Sequence, residues 1–250
     1  EVIDELDFVD PVFTGSWGAS DEDLFHLAHE KFEQMGDQPF FSLIFTSSNH
    51  SPFEFPDGRI ELHDAEKATV HNAVKYADWA LGDFFRLAKE SSYWDNTVFL
   101  VVADHNSRVR GATLMPISRF HIPAMFLGGS IQPDNVETVA SQIDLLPTAL
   151  SLLGMEALSP SLGRDLTRSE QRYQPGRAIM QYHSTNAYMD GDQVVIFQRG
   201  KEAQQYTWVQ NELRPNEILD AELHATALAH TLWPQLAYPS GNYRLPAMKN

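Results

Sequence analysis

The feature of this sequence that most constrains its fold is a run of apolar, β-forming residues near the middle of the chain. Residues 97–103 read TVFLVVA, and the run stops at Asp104 and His105. An apolar run without alternation is typical of a strand covered on both faces, as in the centre of a parallel sheet. We therefore expect a central strand that delivers an acid and an imidazole together at its carboxyl end.

Helical and strand-like patterns alternate on both sides of this run, which favours an α/β sheet with helices on both faces. Helices are predicted over residues 20–36, 66–91 and 136–154, and further strands over residues 40–46 and 121–129. Ser20 is the expected N-cap of the first helix, and Gly36 its end. The second helix should bury an apolar face made of Val70, Val74, Ala77, Leu81, Phe84 and Phe85.

The pattern changes after about residue 156. Three short strand-like segments follow, with turn signals at Asp190-Gly191 and Arg199-Gly200, and then a helical segment over residues 216–233. We therefore predict an α/β domain over residues 1–156. Residues 157–250 are predicted to form a small C-terminal subdomain, an antiparallel sheet with one packed helix.

Charge and composition exclude several classes of function. The 250 residues carry 34 acidic and 18 basic side chains, a formal net charge of -16, which argues against nucleic acid and anionic lipid surfaces as bulk partners. A small anionic substrate remains possible, because a bound divalent cation inverts the charge locally. The absence of cysteine excludes disulfides, zinc-thiolate sites and thiol catalysis within this chain.

Two predicted strands end at groups that suit a ligand site. Asp104 and His105 together suit a divalent ion of the manganese or zinc kind. For the dipeptide alone, an Asp that caps the next turn beside a surface histidine is the simpler explanation. His50 follows the predicted strand at residues 40–46, in a loop whose Asn49 and Ser51 are also ordinary turn residues. Ligands of open α/β sheets bind beyond the carboxyl ends of the strands, so both places are candidates.

Other polar residues have weaker claims to a functional role. His26 and His29 share a helix without an evident third ligand, while His63 and His71 fit a loop surface and a helix face. Arg108 and Arg110 could either screen a substrate anion or pair with acidic side chains.

Two residues near predicted helix starts have a structural and a functional interpretation each. Asp144 precedes Leu-Leu-Pro-Thr, which favours helix capping over catalysis. Trp17 could stack on a ligand, but packing against the sheet where the chain enters the first helix is the simpler expectation.

An ordered set of motifs resembles the sulfatase-fold phosphoglycerol transferases, the lipoteichoic acid synthase-like enzymes of the alkaline phosphatase superfamily. The resemblance covers about residues 10–168. Its motifs, in chain order, are GSWGASDEDLF, PFFSLIFTSSNHSPF, YADWALGDFF, FLVVADHNSRVRG, HIPAMFLGG, SQIDLLPTALSLLGM and LGRDL. The ordered set is specific, although no single motif is. It implies a mixed, mostly parallel α/β sheet of the alkaline phosphatase and sulfatase kind.

The resemblance also implies a mechanism and roles for three residues. Asp104 and His105 would be two ligands of a divalent cation, commonly Mn²⁺, and His50 would contact a phosphoglycerol headgroup. The family transfers phosphoglycerol from a phosphatidylglycerol-type lipid to a glycan or polymer acceptor, through a covalent intermediate on a Thr. The cation stabilises the nucleophile and the phosphoryl charge.

The chain departs from the family pattern in one important respect. The family's Thr nucleophile and a further acidic metal ligand come earlier in the chain than the region matched here, so no catalytic nucleophile is assigned among these 250 residues. We expect the C-terminal part of a catalytic domain, inactive alone, whose partner is the missing N-terminal half. Membrane helices before that half would tether the protein at the extracytoplasmic, periplasmic face of the bacterial inner membrane.

Three alternatives remain open from sequence. A sulfatase or phosphodiesterase of the same fold would share the Asp-His pair, and a non-catalytic ectodomain could bind headgroups or glycans. The third alternative is an α/β domain with an incidental Asp104-His105 pair. The acceptor could be a teichoic-type polymer, a periplasmic glucan or a lipid glycan.

Overall fold

The structure, a computed structural model, describes residues 1–106, 114–168 and 175–244. It groups the chain into two units, which are considered separately. The first unit contains Glu1–Thr97 and Gly128–Ser130, and the second contains Val98–Leu127 and Ile131–Asn250. Arg108 and Arg110 lie outside the described residues.

The first unit is built around two helices. A hairpin of β1 (Thr14–Gly15) and β2 (Gly18–Ala19) leads into α1 (Asp21–Met35), and a long loop connects α1 to α2 (Val70–Glu90). Ser20 caps α1 by accepting a hydrogen bond from the Asp23 amide, and Gly36 ends it with φ of 55°, so both predicted helix limits are confirmed.

Aromatic side chains hold α1 and α2 together. Phe25 of α1 stacks on Phe84 of α2 with ring centroids 5.2 Å apart. Tyr76 is fully buried, and its hydroxyl accepts a hydrogen bond from the Glu22 amide at 3.2 Å. Burial raises the pKa of Tyr76 to about 12.

The buried face of α2 differs from the predicted one. Val74 is 51% exposed, and the helix buries a neighbouring stripe made of Ala73, Tyr76, Ala80, Phe84 and Ala88. The predicted face shares Phe84 with the observed one but did not include Tyr76, which is fully buried. Since the Glu22 amide satisfies its hydroxyl, the ring can be buried and the face turns toward it.

The strand predicted over residues 40–46 is absent. This segment has no regular secondary structure, and Phe41, Leu43 and Phe45 are 93%, 81% and 73% exposed. A strand needs a neighbour to bond its backbone groups. In the part of the chain that the structure describes, no strand pairs with this segment. The prediction of a strand over residues 40–46 was therefore wrong, because no described strand pairs with this segment.

The second unit contains the central run, now as β3 (Phe99–Val102). It pairs antiparallel with β4 (Ala124–Leu127), in a register that sets Phe99 opposite Leu127. Both predicted strands are confirmed, but burial on both faces is not, since Leu100 is 38% and Met125 47% exposed. Partly buried and exposed side chains alternate along β3, so one of its faces is left open.

The C-terminal part of the second unit is a five-stranded antiparallel sheet, as predicted. Its strands lie in chain order: β5 (Arg177–Tyr182), β6 (Thr185–Asp190), β7 (Gln193–Gln198), β8 (Gln204–Val209) and β9 (Glu212–Pro215). The helix α4 (Ala221–Ser240) packs on one face through Tyr188, Val195 and Ala227. Met115 and Ile117 pack with the residues of the other face. A domain boundary near residue 156 stays a prediction.

Asp144 precedes a shorter helix than predicted, α3 (Leu145–Leu152). Its carboxylate accepts the amides of Ser141 at 2.8 Å and Arg164 at 2.7 Å. It therefore closes the short 3₁₀ turn before α3 and makes no cap hydrogen bond to α3 itself, so the expectation that it caps this helix is wrong. It also forms a buried ion pair with Arg177, at 3.0 Å, with both side chains at most 2% exposed. The LGRDL motif is close-packed here, because a Cβ at Gly163 would collide with the carbonyl oxygen of Ile143.

No helix among the described residues is long and apolar enough to cross a bilayer.

Removing the guanidinium of Arg177 should destabilise the protein strongly. Arg177→Met leaves the Asp144 carboxylate buried without its cation, which typically costs about 3–5 kcal/mol of unfolding free energy. The matched control is Arg168→Met, because Arg168 pairs with Asp165 through a side chain that is 67% exposed and should cost less than about 1 kcal/mol. Urea unfolding measures both. Equal losses in the two variants would contradict this assignment.

Candidate functional site

The first residue of α1 fixes the loop that carries His50. Asp21 is 1% exposed, and its Oδ1 accepts the backbone amides of Ser47 and Ser48, both at 3.0 Å. In return, the Asp21 amide donates to the Ser48 hydroxyl at 3.0 Å. Two of the motifs quoted above, GSWGASDEDLF and TSSNHSPF, therefore meet at one place.

His50 stands at the end of this loop with one nitrogen committed. Its Nδ1 donates to the Ser51 carbonyl oxygen at 2.8 Å, and the Trp17 Nε1 donates to the same oxygen at 2.8 Å. Because Nδ1 carries a proton in this arrangement, a neutral ring presents its lone pair at Nε2. His50 can therefore accept a hydrogen bond at Nε2 when neutral and donate one when protonated.

Trp17 lies against His50 rather than inside the protein. The two ring centroids are 4.2 Å apart, and Trp17 is 58% exposed. The expectation that Trp17 packs against the sheet is wrong, because its indole N–H bonds the Ser51 carbonyl and holds the ring over the loop. An exposed aromatic face beside an imidazole suits contact with a ligand.

A carboxylate completes the small pocket around these rings. The pocket is lined by Phe13, Ser16, Trp17, Ser48, His50 and Glu54. The Ser16 amide donates to Glu54 Oε2 at 2.7 Å. Hydrogen bonding by the Ser16 side chain, and then by this amide, holds the pKa of Glu54 below its usual value. The pocket therefore offers an ionised acceptor and an imidazole, a combination suited to hydroxyl groups.

Asp104 and His105 meet at the end of β3. His105 Nε2 lies 3.3 Å from Asp104 Oδ2, and both side chains are mostly exposed. The His105 amide donates to Asp104 Oδ1 at 2.7 Å. Gln142 donates to the carbonyl oxygens of Ala103 and Asp104, both at 3.0 Å, and so fixes the backbone at this strand end.

The Asp104-His105 pair fits a divalent ion. When each bond is about 2.1 Å long, two ligand atoms of one ion lie about 3.0 Å apart in octahedral geometry and about 3.4 Å apart in tetrahedral geometry. The observed 3.3 Å falls between these spacings. A carboxylate with an imidazole suits ions of the manganese or zinc kind. The roles of Asp104, His105 and His50 stay predictions.

The histidines of α1 have other partners. His26 Nε2 contacts Asp83 at 3.0 Å, and His29 Nδ1 contacts the Tyr93 hydroxyl at 2.7 Å. Both imidazoles therefore contact polar side chains outside α1.

Asp21 is the functional-site residue that sequence reasoning missed. Glu22 and Asp23 follow it directly, and three consecutive acids in a first helical turn are typical of a stabilised helix start. Nothing in that pattern marks Asp21 as the residue that binds a loop 26 residues later.

Comparisons with known proteins support the family resemblance. The family model described as Sulfatase matches residues 2–155. The lipoteichoic acid synthase-like protein YvgJ of Bacillus subtilis is 26% identical over 195 residues, which cover 65% of this chain and 30% of that protein. The lipoteichoic acid synthase of Staphylococcus saprophyticus is 28% identical over 171 residues, covering 56% and 24%. The chain thus spans a third or less of these curated relatives.

Solved structures confirm the predicted fold class. A protein in the alkaline phosphatase superfamily from Vibrio parahaemolyticus superposes with a TM-score of 0.90 at 46% identity, over 97% of this chain and 60% of that one. Ps i-CgsB superposes with a TM-score of 0.60 at 16% identity, which indicates fold alone.

Removing the Asp21 carboxylate should loosen the His50 loop. In Asp21→Ala the amides of Ser47 and Ser48 lose their acceptor, at a typical cost of about 1–3 kcal/mol, and their hydrogen exchange should accelerate. Asp23→Ala is the matched control, because Asp23 accepts the amides of Val12 and Phe13 instead. Exchange at Ser47 and Ser48 that is equally fast in both variants would contradict this assignment.

Proposed function

The chain belongs to the sulfatase family, and we propose that its protein is a divalent-metal-dependent transferase of phosphoglycerol. The donor is a phosphatidylglycerol-type lipid, and the acceptor is a hydroxyl of a glycan or polymer. The observation that carries the proposal is the Asp104-His105 pair, whose ligand atoms converge to 3.3 Å at the end of β3. The lipoteichoic acid synthases among the curated relatives support the choice of substrate.

Each of the predicted site residues has a distinct role in this proposal. Asp104 Oδ2 and His105 Nε2 hold the cation, for which Mn²⁺ fits the donor set. When bound, the cation neutralises charge on the phosphoryl oxygens and on the attacking oxygen. His50 Nε2 hydrogen-bonds a headgroup hydroxyl, and the exposed face of Trp17 packs beside it.

The bond changes require a nucleophile that this chain does not supply. A Thr hydroxyl in the polypeptide before these residues loses its proton and attacks the phosphorus, and the diacylglycerol oxygen leaves with its bonding electrons and takes up a proton. The acceptor hydroxyl then loses its proton and attacks the same phosphorus, and the Thr oxygen leaves with its bonding electrons and takes up a proton. Atoms and charge balance over the two steps, with no redox partner.

The partner that completes the site is, in this proposal, the remaining part of the same catalytic domain. Phe41, Leu43 and Phe45 are exposed on a segment that pairs with no strand among the described residues, and Leu100 and Met125 are partly exposed on β3 and β4. Exposed apolar residues at alternate positions suit burial against a further strand. A membrane tether in that part would hold the enzyme at the periplasmic face of the inner membrane, beside its lipid donor.

Hydrolysis of a sulfate ester is the second candidate. The matched family model is that of sulfatases, and an Asp-His metal pair serves sulfate and phosphate esters equally well. A formylglycine derived from Cys or Ser would then replace the Thr nucleophile. In a non-catalytic ectodomain, His50 and Trp17 would bind the headgroup, and neither a Thr nor a formylglycine nucleophile would be needed.

Loss of the His105 imidazole should abolish most metal affinity. His105→Ala removes one ligand, and Mn²⁺ should bind at least about 100-fold more weakly, because losing even a group that only supports a ligand costs about 10- to 100-fold. Calorimetric titration with MnCl₂ measures this. His121→Ala removes another exposed imidazole and should leave Mn²⁺ binding unchanged. Equal affinity in the wild type and His105→Ala would refute the metal assignment.

The reaction itself is tested with the complete protein encoded by the gene. It should release diacylglycerol from phosphatidylglycerol vesicles when Mn²⁺ is present, and His105→Ala should not. Cleavage of an aryl sulfate without diacylglycerol release would establish the sulfatase instead. Headgroup binding without either product would leave only the binding ectodomain.

Completion of the sheet is tested by hydrogen exchange. Backbone amides of residues 41–45 should exchange rapidly in the 250-residue chain and slowly in the complete protein, because a neighbouring strand would bond and bury them. Amides in the middle of α2 should be slow in both and serve as the internal reference. Rapid exchange of residues 41–45 in the complete protein would mean that no strand covers them.

A further inference from the structure

A second group of metal-ligating side chains lies at the start of α2. His63 and Asp64 belong to the loop before the helix, and His71 lies in its first turn. One ligand atom from each of the three lies within 4.8 Å of the other two. The His71 Nδ1 lies 3.0 Å from Asp64 Oδ2, and the His63 Nε2 lies 3.9 Å from Asp64 Oδ1.

Asn72 holds the backbone that carries these ligands. It is fully buried, and its Oδ1 accepts the amides of His63 at 2.7 Å and Asp64 at 3.1 Å. Its Nδ2 donates to the carbonyl oxygens of Asp64, Glu66 and Lys67. Because Asn72 directly follows His71, the loop ligands and the helix ligand are fixed to the same turn. Rigid support of this kind reduces the entropy lost on binding.

The Asp64 carboxylate can bind an ion while it keeps its hydrogen bond with Thr69. Its Oδ2 accepts a hydrogen bond from the Thr69 hydroxyl at 2.7 Å. An ionised carboxylate has lone pairs on both oxygens. The Oδ1 atom, on the side of His63, can therefore coordinate while Oδ2 keeps its contact with Thr69.

The donor set selects the kind of ion. Two imidazoles and one carboxylate suit Zn²⁺, which binds nitrogen at about 2.0–2.1 Å, whereas Mg²⁺ prefers oxygen ligands. Ligands of one tetrahedral Zn²⁺ lie about 3.4 Å apart, so the three side chains need to close by roughly an ångström from their present spacing. The side chains of His63 and His71 are 66% and 61% exposed and can rotate to do so.

We propose that His63, Asp64 and His71 form a Zn²⁺-binding site, with water in the fourth position. The site uses none of the residues of the proposed transferase reaction and does not depend on that function. Its physical consequence is to fix the loop before α2 to the first turn of the helix. Binding should therefore raise the thermal stability of the protein as well as immobilise the ion.

The test is calorimetric titration of the complete protein with ZnCl₂. A double variant, Asp104→Asn with His105→Ala, removes the other candidate metal pair, and Zn²⁺ should still bind it at one saturable site. Adding His63→Ala and His71→Ala to that background should weaken this binding at least tenfold and abolish the rise in melting temperature on adding Zn²⁺. The matched control adds His121→Ala instead and should leave the titration unchanged.

Two results would overturn the proposal. One is a Zn²⁺ titration that is unaltered by His63→Ala and His71→Ala in a variant whose circular dichroism shows it folded. The other is a folded Asp104→Asn, His105→Ala variant that binds no Zn²⁺. The histidines are chosen for substitution because Asp64 also supports Thr69 at the helix start, so its loss could disturb the fold directly.

Discussion

The buried ion pair between Asp144 and Arg177 is the interaction on which the second unit depends. Asp144 precedes α3, Arg177 begins β5, and the same carboxylate accepts the amide of Arg164 between them. A buried charge is tolerated only when it is paired and hydrogen-bonded, so these three chain segments must assemble together. The Asp144 carboxylate therefore links the helix of the α/β region to the C-terminal sheet, across the boundary predicted near residue 156.

Two loops of the first unit are held by similar hydrogen bonds. The Asp21 carboxylate accepts the amides of Ser47 and Ser48, and the Asn72 side-chain oxygen accepts those of His63 and Asp64. In each case a buried polar side chain at a helix start binds the backbone of a loop distant in sequence. Because the side chain stands on a helix, its hydrogen bonds restrain the backbone of the loop. The candidate ligand residues of the first unit, His50 and His63, are both carried by such loops.

Sequence predicted those parts whose signals are local. The apolar run before Asp104 and the Ser20 cap gave correct elements, because strand length and capping depend on neighbouring residues. The segment around Leu43 did not, because an apolar run becomes a strand only beside another strand. The burial of Arg177 could not be predicted from the neighbouring sequence either, because its partner Asp144 lies 33 residues earlier. The His63-Asp64-His71 group arises from a loop that Asn72 folds back, and no spacing rule reveals that contact.

The charge of the chain explains why metal ions matter to such a protein. A net charge of -16 repels a phosphodiester anion at long range, and Glu54 adds an ionised carboxylate to the His50 pocket. A hydroxyl group is neutral and does not meet that repulsion. In the proposed reaction, binding of the phosphoryl group requires a local positive charge. A cation held by the predicted ligands Asp104 and His105 would supply it.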